Sequence, residues 1–209
     1  MARLTWYFDF VSPFSYLQFA AHPELFQRPD VDLKPVLFAG LLNHFGHKGP
    51  AEVEPKRVHT YRHTYWQAGK RGVSMKYPPG HPFNSLHALR LAIAFGGTYD
   101  TIKTIFDFIW VQGRSPNDEW KALCDALGVP GAEVLAASEG VKTQLRENTD
   151  EAIGLGVFGV PTFVADGHLF WGLDATGMLL DYLDDPQLFE SDEMKRLTYL
   201  PVAASRQSQ

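Results

Sequence analysis

The chain has 209 residues, 45% of them hydrophobic, and a formal charge of −5 with an isoelectric point near 5.9. That length and apolar content build a real core, most simply one domain carrying an insertion. The acidic balance, with no basic run interleaved with aromatics, argues against a nucleic-acid or anionic-membrane surface. No segment approaches the ~20 apolar residues of a membrane span, and Asp9 interrupts the one candidate leader. The single cysteine, Cys124, makes no internal disulfide and fits a reducing compartment, so a cytoplasmic location is expected.

Leu4 to Val11 is a mostly apolar run, as expected of a central strand buried on both faces. It stops at Ser12-Pro13, where Ser12 is a good N-cap and Pro13 suits the first helical position. The helix carries Phe14, Tyr16, Leu17, Phe19 and Ala20, and Pro23 should bend or restart it. Val31 to Phe38 reads as a second strand. From about Leu41 to Gly154 the patterns are helical, with stops at Gly72, Gly96, Gly113 and Gly128, and Asn84 or Ser85 as one of the caps. Their short connections make a compact insertion. β character returns at Val160–Ala165 and His168–Trp171, joined at Asp166-Gly167, a strong hairpin signal. Ala175 to Leu183 reads as a closing helix, and the last residues of the tail are expected to be mobile.

The order βαβ, helical insertion, ββα describes an α/β, thioredoxin-like fold with an inserted all-helical domain. Residues 1–39 and 155–185 would form the thioredoxin-like domain, 40–154 the insertion and 186–209 a tail. Four segments sharpen this reading: FDFVSPFSYL, PFNS at Pro82–Ser85, GVFGVPTFV and LFWGLD. Together they resemble the 2-hydroxychromene-2-carboxylate isomerases, a family similar to the kappa-class glutathione transferases within the DsbA-like branch of the thioredoxin superfamily. The resemblance runs over roughly residues 3–184.

DsbA-like oxidoreductases place Cys-x-x-Cys at the strand-to-helix junction. Ser12 and Ser15 stand at those positions here, which excludes thiol–disulfide exchange by the protein's own groups. The resemblance implies glutathione as the external sulfur. A free thiol has a pKa of about 8.5; the open N–H groups and positive end of the helix starting at Pro13, with a hydrogen bond from Ser12 Oγ, favour its anion. Ser12 is thus the candidate catalytic residue, as activator of a bound nucleophile. As a nucleophile itself it lacks a G-x-S-x-G context and an assignable His–Asp pair. The plainer alternative is a serine that only caps a helix. Ser15 reads as a first-turn helix residue.

The resemblance also implies a cis Val160-Pro161 bond facing the helix tip, with the Val160 backbone pairing to the tripeptide like an added strand. An ordinary edge-strand proline is the bland reading. Gly172, Leu173 and Asp174 match the family's glutathione segment, and Asp174 could also cap the next helix. The substrate wall is expected from the insertion: Phe83 and Asn84 in the stiff KYPPGHPFNS loop, and Trp110, which stands on an apolar helix and is core by default. The implied substrate is a small aromatic acid, although Leu42 stands where relatives carry a basic residue.

His44, His47, His59 and His63 cluster in sequence, but without H-E-x-x-H or a third ligand type they read as solvated histidines and no metal is expected. Cys124 reads as a small core residue. The function implied is a glutathione-dependent cis–trans isomerase interconverting 2-hydroxychromene-2-carboxylate and trans-o-hydroxybenzylidenepyruvate, or a related aromatic-degradation intermediate. A kappa-like glutathione transferase and a redox-inactive, peptide-binding thioredoxin-like module stay open as alternatives, and a homodimer is compatible with the resemblance.

Overall fold

The computed structural model describes residues 4–128 and 131–204. Strand β1 (Leu4–Phe8) leads through a short loop to α1 (Pro13–Ala21). The strand ends short of the expected Val11 because the Asp9 carboxylate accepts from Val11 N–H at 3.0 Å and turns the backbone. Pro23 restarts the helix as α2 (Pro23–Phe26), and β2 (Val31–Pro35) follows, parallel to β1. The second strand also stops early: Phe38 begins α3 (Phe38–Phe45) instead of ending β2.

Helices then dominate. A single 3-10 turn (Pro50–Glu52) precedes α4 (Glu54–Lys70), and α5 (Leu86–Ala94) and α6 (Tyr99–Phe106) come next. The last of these widens into a π-helical turn (Asp107–Val111), then α7 (Trp120–Ala126), α8 (Ala132–Ala136) and α9 (Glu139–Gly154) follow. Helix α8 was not expected, being too short to show a period. The hairpin β3 (Thr162–Ala165) and β4 (His168–Trp171) turns at Asp166 and Gly167, both with positive φ (48° and 84°), as a two-residue primed turn requires. Helices α10 (Thr176–Asp184) and α11 (Asp192–Thr198) close the chain. The end of the tail, expected to be mobile, falls outside the described residues. Among the described residues no helix is long and apolar enough to cross a membrane.

The sheet has the order β2-β1-β3-β4, with β1 parallel to β2 and antiparallel to β3. The side-chain period of two sends Leu4, Trp6 and Phe8 to one face and Tyr7 to the other. On the first face, Trp6 stacks on Phe8 with centroids 4.2 Å apart and meets Phe26 edge-on at 4.6 Å. Phe106 from the helical segment joins the same aromatic stack, so one core runs without a break from sheet to insertion. On the second face, Tyr7, Val36, Ala152, Val157 and Val164 form a smaller cluster beneath α9. Tyr7 Oη donates to Glu151 (2.7 Å), and Asn148 Nδ2 donates to the Pro35 carbonyl (3.1 Å). Because α9 is bonded to the strands in this way, we propose that the thioredoxin-like unit resumes at Glu139, ahead of residue 155.

Buried Gln18 fastens α1 at its centre. Its side-chain carbonyl accepts from Trp6 Nε1 at 2.7 Å, and its amide donates to Thr176 Oγ1 at 2.9 Å and to the Gly172 carbonyl at 3.2 Å. Trp6 therefore holds both the aromatic stack and this buried link. Trp6→Ala should destabilise the protein by about 3–5 kcal/mol, read from denaturant midpoints. A loss below about 1 kcal/mol would show that the stack does not carry the core.

Candidate active site

The loop from Asp9 to Ser12 brings the end of β1 to the tip of α1. Ser12 is the N-cap: its Oγ accepts from Ser15 N–H at 3.2 Å and donates to the Val160 carbonyl at 3.4 Å. The second contact is long, so the hydroxyl proton is lightly held and can turn toward a ligand. Val160-Pro161 is cis and lies against this helix tip. Ser15, expected as a first-turn residue, is fully buried in α1, and its own hydroxyl has no partner among the described residues.

A cavity of about 320 Å³ opens over Ser12 and Val160. Its other walls are the start of α3, the segment Gly49–Glu52 and the loop His81–Ser85. Phe83, Asn84 and Leu42 line it. A larger open groove of about 680 Å³ lies between the β2 edge and α9, but contains neither Ser12 nor the cis-proline. The chemistry points to the smaller space.

Trp110 requires a correction. It is fully buried and outside the cavity lining, because the π-helical turn packs it into the core. Its indole N–H donates to the Phe10 carbonyl at 2.9 Å, and its ring meets His81 at 5.7 Å and Phe83 at 6.4 Å. It supports the wall without facing the cavity. Gly172, Leu173 and Asp174 also stand outside this lining, beside the cis-proline: Gly172 N–H donates to the Pro161 carbonyl at 2.8 Å. Leu173 is buried and Asp174 exposed. Asp174 does not cap α10; Ala175 holds that position without a side-chain bond.

Two residues that the sequence reading passed over matter here. Asp9 is 1% exposed and lines the cavity. Its carboxylate accepts from Val11 N–H, from Phe38 N–H at 2.9 Å and from the Ser85 hydroxyl. Burial raises its pKa, against these bonds, which lower it. A lone acid at the end of an apolar strand was the available signal. His81 is the other. Its Nε2 faces the Val11 carbonyl (2.7 Å), so Nε2 carries the proton, and its Nδ1 meets Tyr61 Oη (2.8 Å). Burial lowers its pKa, favouring the neutral ring.

The histidines of the first helical segment lie elsewhere. His59 and His63 stack on α4 at 5.6 Å, and His63 Nε2 pairs with the Gln67 amide. Cys124 is buried in α7, and burial pushes its thiol up to about 11. It offers no thiolate at neutral pH.

The model of the DSBA-like thioredoxin domain matches residues 3–184. A 2-hydroxychromene-2-carboxylate isomerase of Sphingobium xenophagum is 28% identical over 192 residues, covering 87% of this chain and 98% of that protein. Glutathione s-transferase kappa 2 of Caenorhabditis elegans is 26% identical over 205 residues, covering 86% and 91% respectively. A solved 2-hydroxychromene-2-carboxylate isomerase superposes with a TM-score of 0.76 at 24% identity, covering 91% of this chain and 98% of that one.

Asp9 gives a testable pH dependence. Its folded pKa lies above the ordinary value of 3.8, so the folded protein keeps this proton to higher pH than the unfolded chain does. Its stabilising contribution is present in acid and is lost as pH rises through the folded value. Unfolding of the wild type and Asp9→Asn from about pH 3 to about pH 8 should show the wild type losing ground to the variant as pH rises. A flat or opposite trend would mean that the three hydrogen bonds outweigh burial.

Proposed function

The chain belongs to the family of DSBA-like thioredoxin domains, and from that premise we propose that it is a glutathione-dependent isomerase. The reading is carried by one observation: a serine hydroxyl, not a thiol, caps the helix at the floor of the cavity and faces the Val160 carbonyl, just before the cis-proline. With Cys124 buried elsewhere, the sulfur must come from a ligand. The Sphingobium relative supports isomerisation, and the kappa transferase supports glutathione as the thiol.

Glutathione would lie with its cysteine against the Val160 backbone and its sulfur at the tip of α1. Gly172, Leu173 and Asp174, bonded to Pro161 through Gly172 N–H, would take the far end of the tripeptide. The helix end and the Ser12 proton favour the thiolate. In the reaction, the thiolate adds to a conjugated carbon of a ring-opened aromatic carbonyl compound. A C–S bond forms, the C=C bond becomes single, and the electron pair moves to the carbonyl oxygen as an enolate. Rotation about the single bond follows. The enolate then collapses, restores C=C in the other geometry and expels the thiolate, so glutathione is unchanged. The substrate proposed is 2-hydroxychromene-2-carboxylate with its open-chain isomer, or a related intermediate of aromatic degradation. The one cysteine supports a reducing compartment such as the cytoplasm as the setting.

The second reading is a kappa-like transferase that leaves glutathione on the product, favoured by the Caenorhabditis relative. Mass spectrometry of the product separates the two, since only transfer leaves the tripeptide attached. The peptide-binding alternative predicts no glutathione binding, and instead affinity for peptides along the Val160 edge.

Ser12→Ala tests the core of the proposal. The variant should bind glutathione with a higher thiol pKa, read from thiolate absorbance. Its turnover should slow by about tenfold where that pKa rises by about one. An unchanged pKa and rate would reduce Ser12 to a helix cap.

A further inference from the structure

The charge around the cavity bears on which electrophile can enter. Among the described residues lining it there is no lysine or arginine. The acidic residues are Asp9, sealed beneath the wall, and Glu52, whose Oε1 accepts from Gly49 N–H at 2.6 Å. His81 is the only basic residue among them, and both its ring nitrogens are engaged. Arg57 donates to the Ala51 carbonyl at 3.3 Å and is not part of the lining.

Helix starts could substitute for a cation, and several converge here. Each has a leading donor already taken, and the open end of α1 is where the thiolate would sit. Phe38 N–H of α3 is on Asp9, Leu86 N–H of α5 is on Asn84 Oδ1 at 3.0 Å, and Ser15 N–H of α1 is on Ser12 Oγ. Apart from Ser12, Thr60, Asn84 and Ser85, the remaining surface is apolar: Phe14, Phe38, Leu42, Pro82 and Phe83 among others. A carboxylate brought in would shed water, meet no lysine or arginine and share the space with Glu52 and the bound thiolate.

We infer that, among the substrates the isomerase reading leaves open, this cavity selects an uncharged conjugated aromatic carbonyl compound, such as a ketone or ester, over one bearing a carboxylate, which favours a related intermediate over 2-hydroxychromene-2-carboxylate itself. This rests on the glutathione-dependent reading for its chemistry, but the cavity's preference can be read without turnover. Saturated analogues lack the C=C bond to which the thiol adds in the reaction, so the titrations without glutathione report the lining alone.

The test is calorimetric titration of the purified protein at neutral pH with benzylacetone and with benzylpyruvate, which differ by methyl against carboxylate. Each titration is run with and without glutathione. Benzylacetone should bind at least about tenfold tighter. Leu42→Lys, which adds a cation on the α3 wall, should bring benzylpyruvate level or ahead. Equal or tighter binding of benzylpyruvate to the unaltered protein overturns the inference, as does failure of both compounds to bind. If the preference holds while glutathione itself does not bind, the isomerase reading falls and the cavity's selectivity stands.

Discussion

The carboxylate of Asp9, almost sealed from water, accepts from the Val11 and Phe38 backbones and from the Ser85 hydroxyl. Those groups belong to the loop that delivers Ser12, to the start of α3 and to the start of α5. One side chain thereby sets the spacing between the helix tip and two walls of the cavity. Such a buried acid is tolerated only because each bond answers part of the desolvation cost, and removing a partner would leave an unsatisfied group in a dry place. The geometry of the site follows from that constraint.

A second set of bonds acts on the same loop from the helical segment. Trp110 Nε1 holds the Phe10 carbonyl and His81 Nε2 holds the Val11 carbonyl, so two successive carbonyls before Ser12 are fixed by ring N–H donors. Below them, Gln18 connects β1 to α1 and to the Gly172 segment. The serine is positioned by groups from every layer of the molecule, although among the described residues its own side chain hydrogen-bonds only to Ser15 and Val160.

Much of this was legible in the sequence where a local rule decides. Ser12-Pro13 declared a helix start through capping chemistry, and Asp166-Gly167 declared a hairpin through positive φ. The order of strands and helices sufficed for the architecture. Strand ends were harder to read, because β1 is cut short where Asp9 bonds the Val11 N–H, and that carboxylate is held in place by a bond to Phe38, remote in sequence. Trp110 was misplaced for a related reason: a tryptophan on an apolar helix looks the same whether it faces a cavity or supports one. Asp9 and His81 escaped notice because their importance lies in partners that only the fold brings near.

The unbroken core has a consequence for how this molecule can change over generations. Trp6, Phe106 and their neighbours weld the strands to the helical segment, so substitutions there are punished through stability. The rim from Gly49 to Glu52 and the neighbouring side chain of Leu42 stand apart from that stack. Mutational drift at these positions can retune what the cavity admits while the helix tip and its serine stay in register. Diversification of such a scaffold is thus channelled to its mouth, where a single residue can alter the clientele without unsettling the machine.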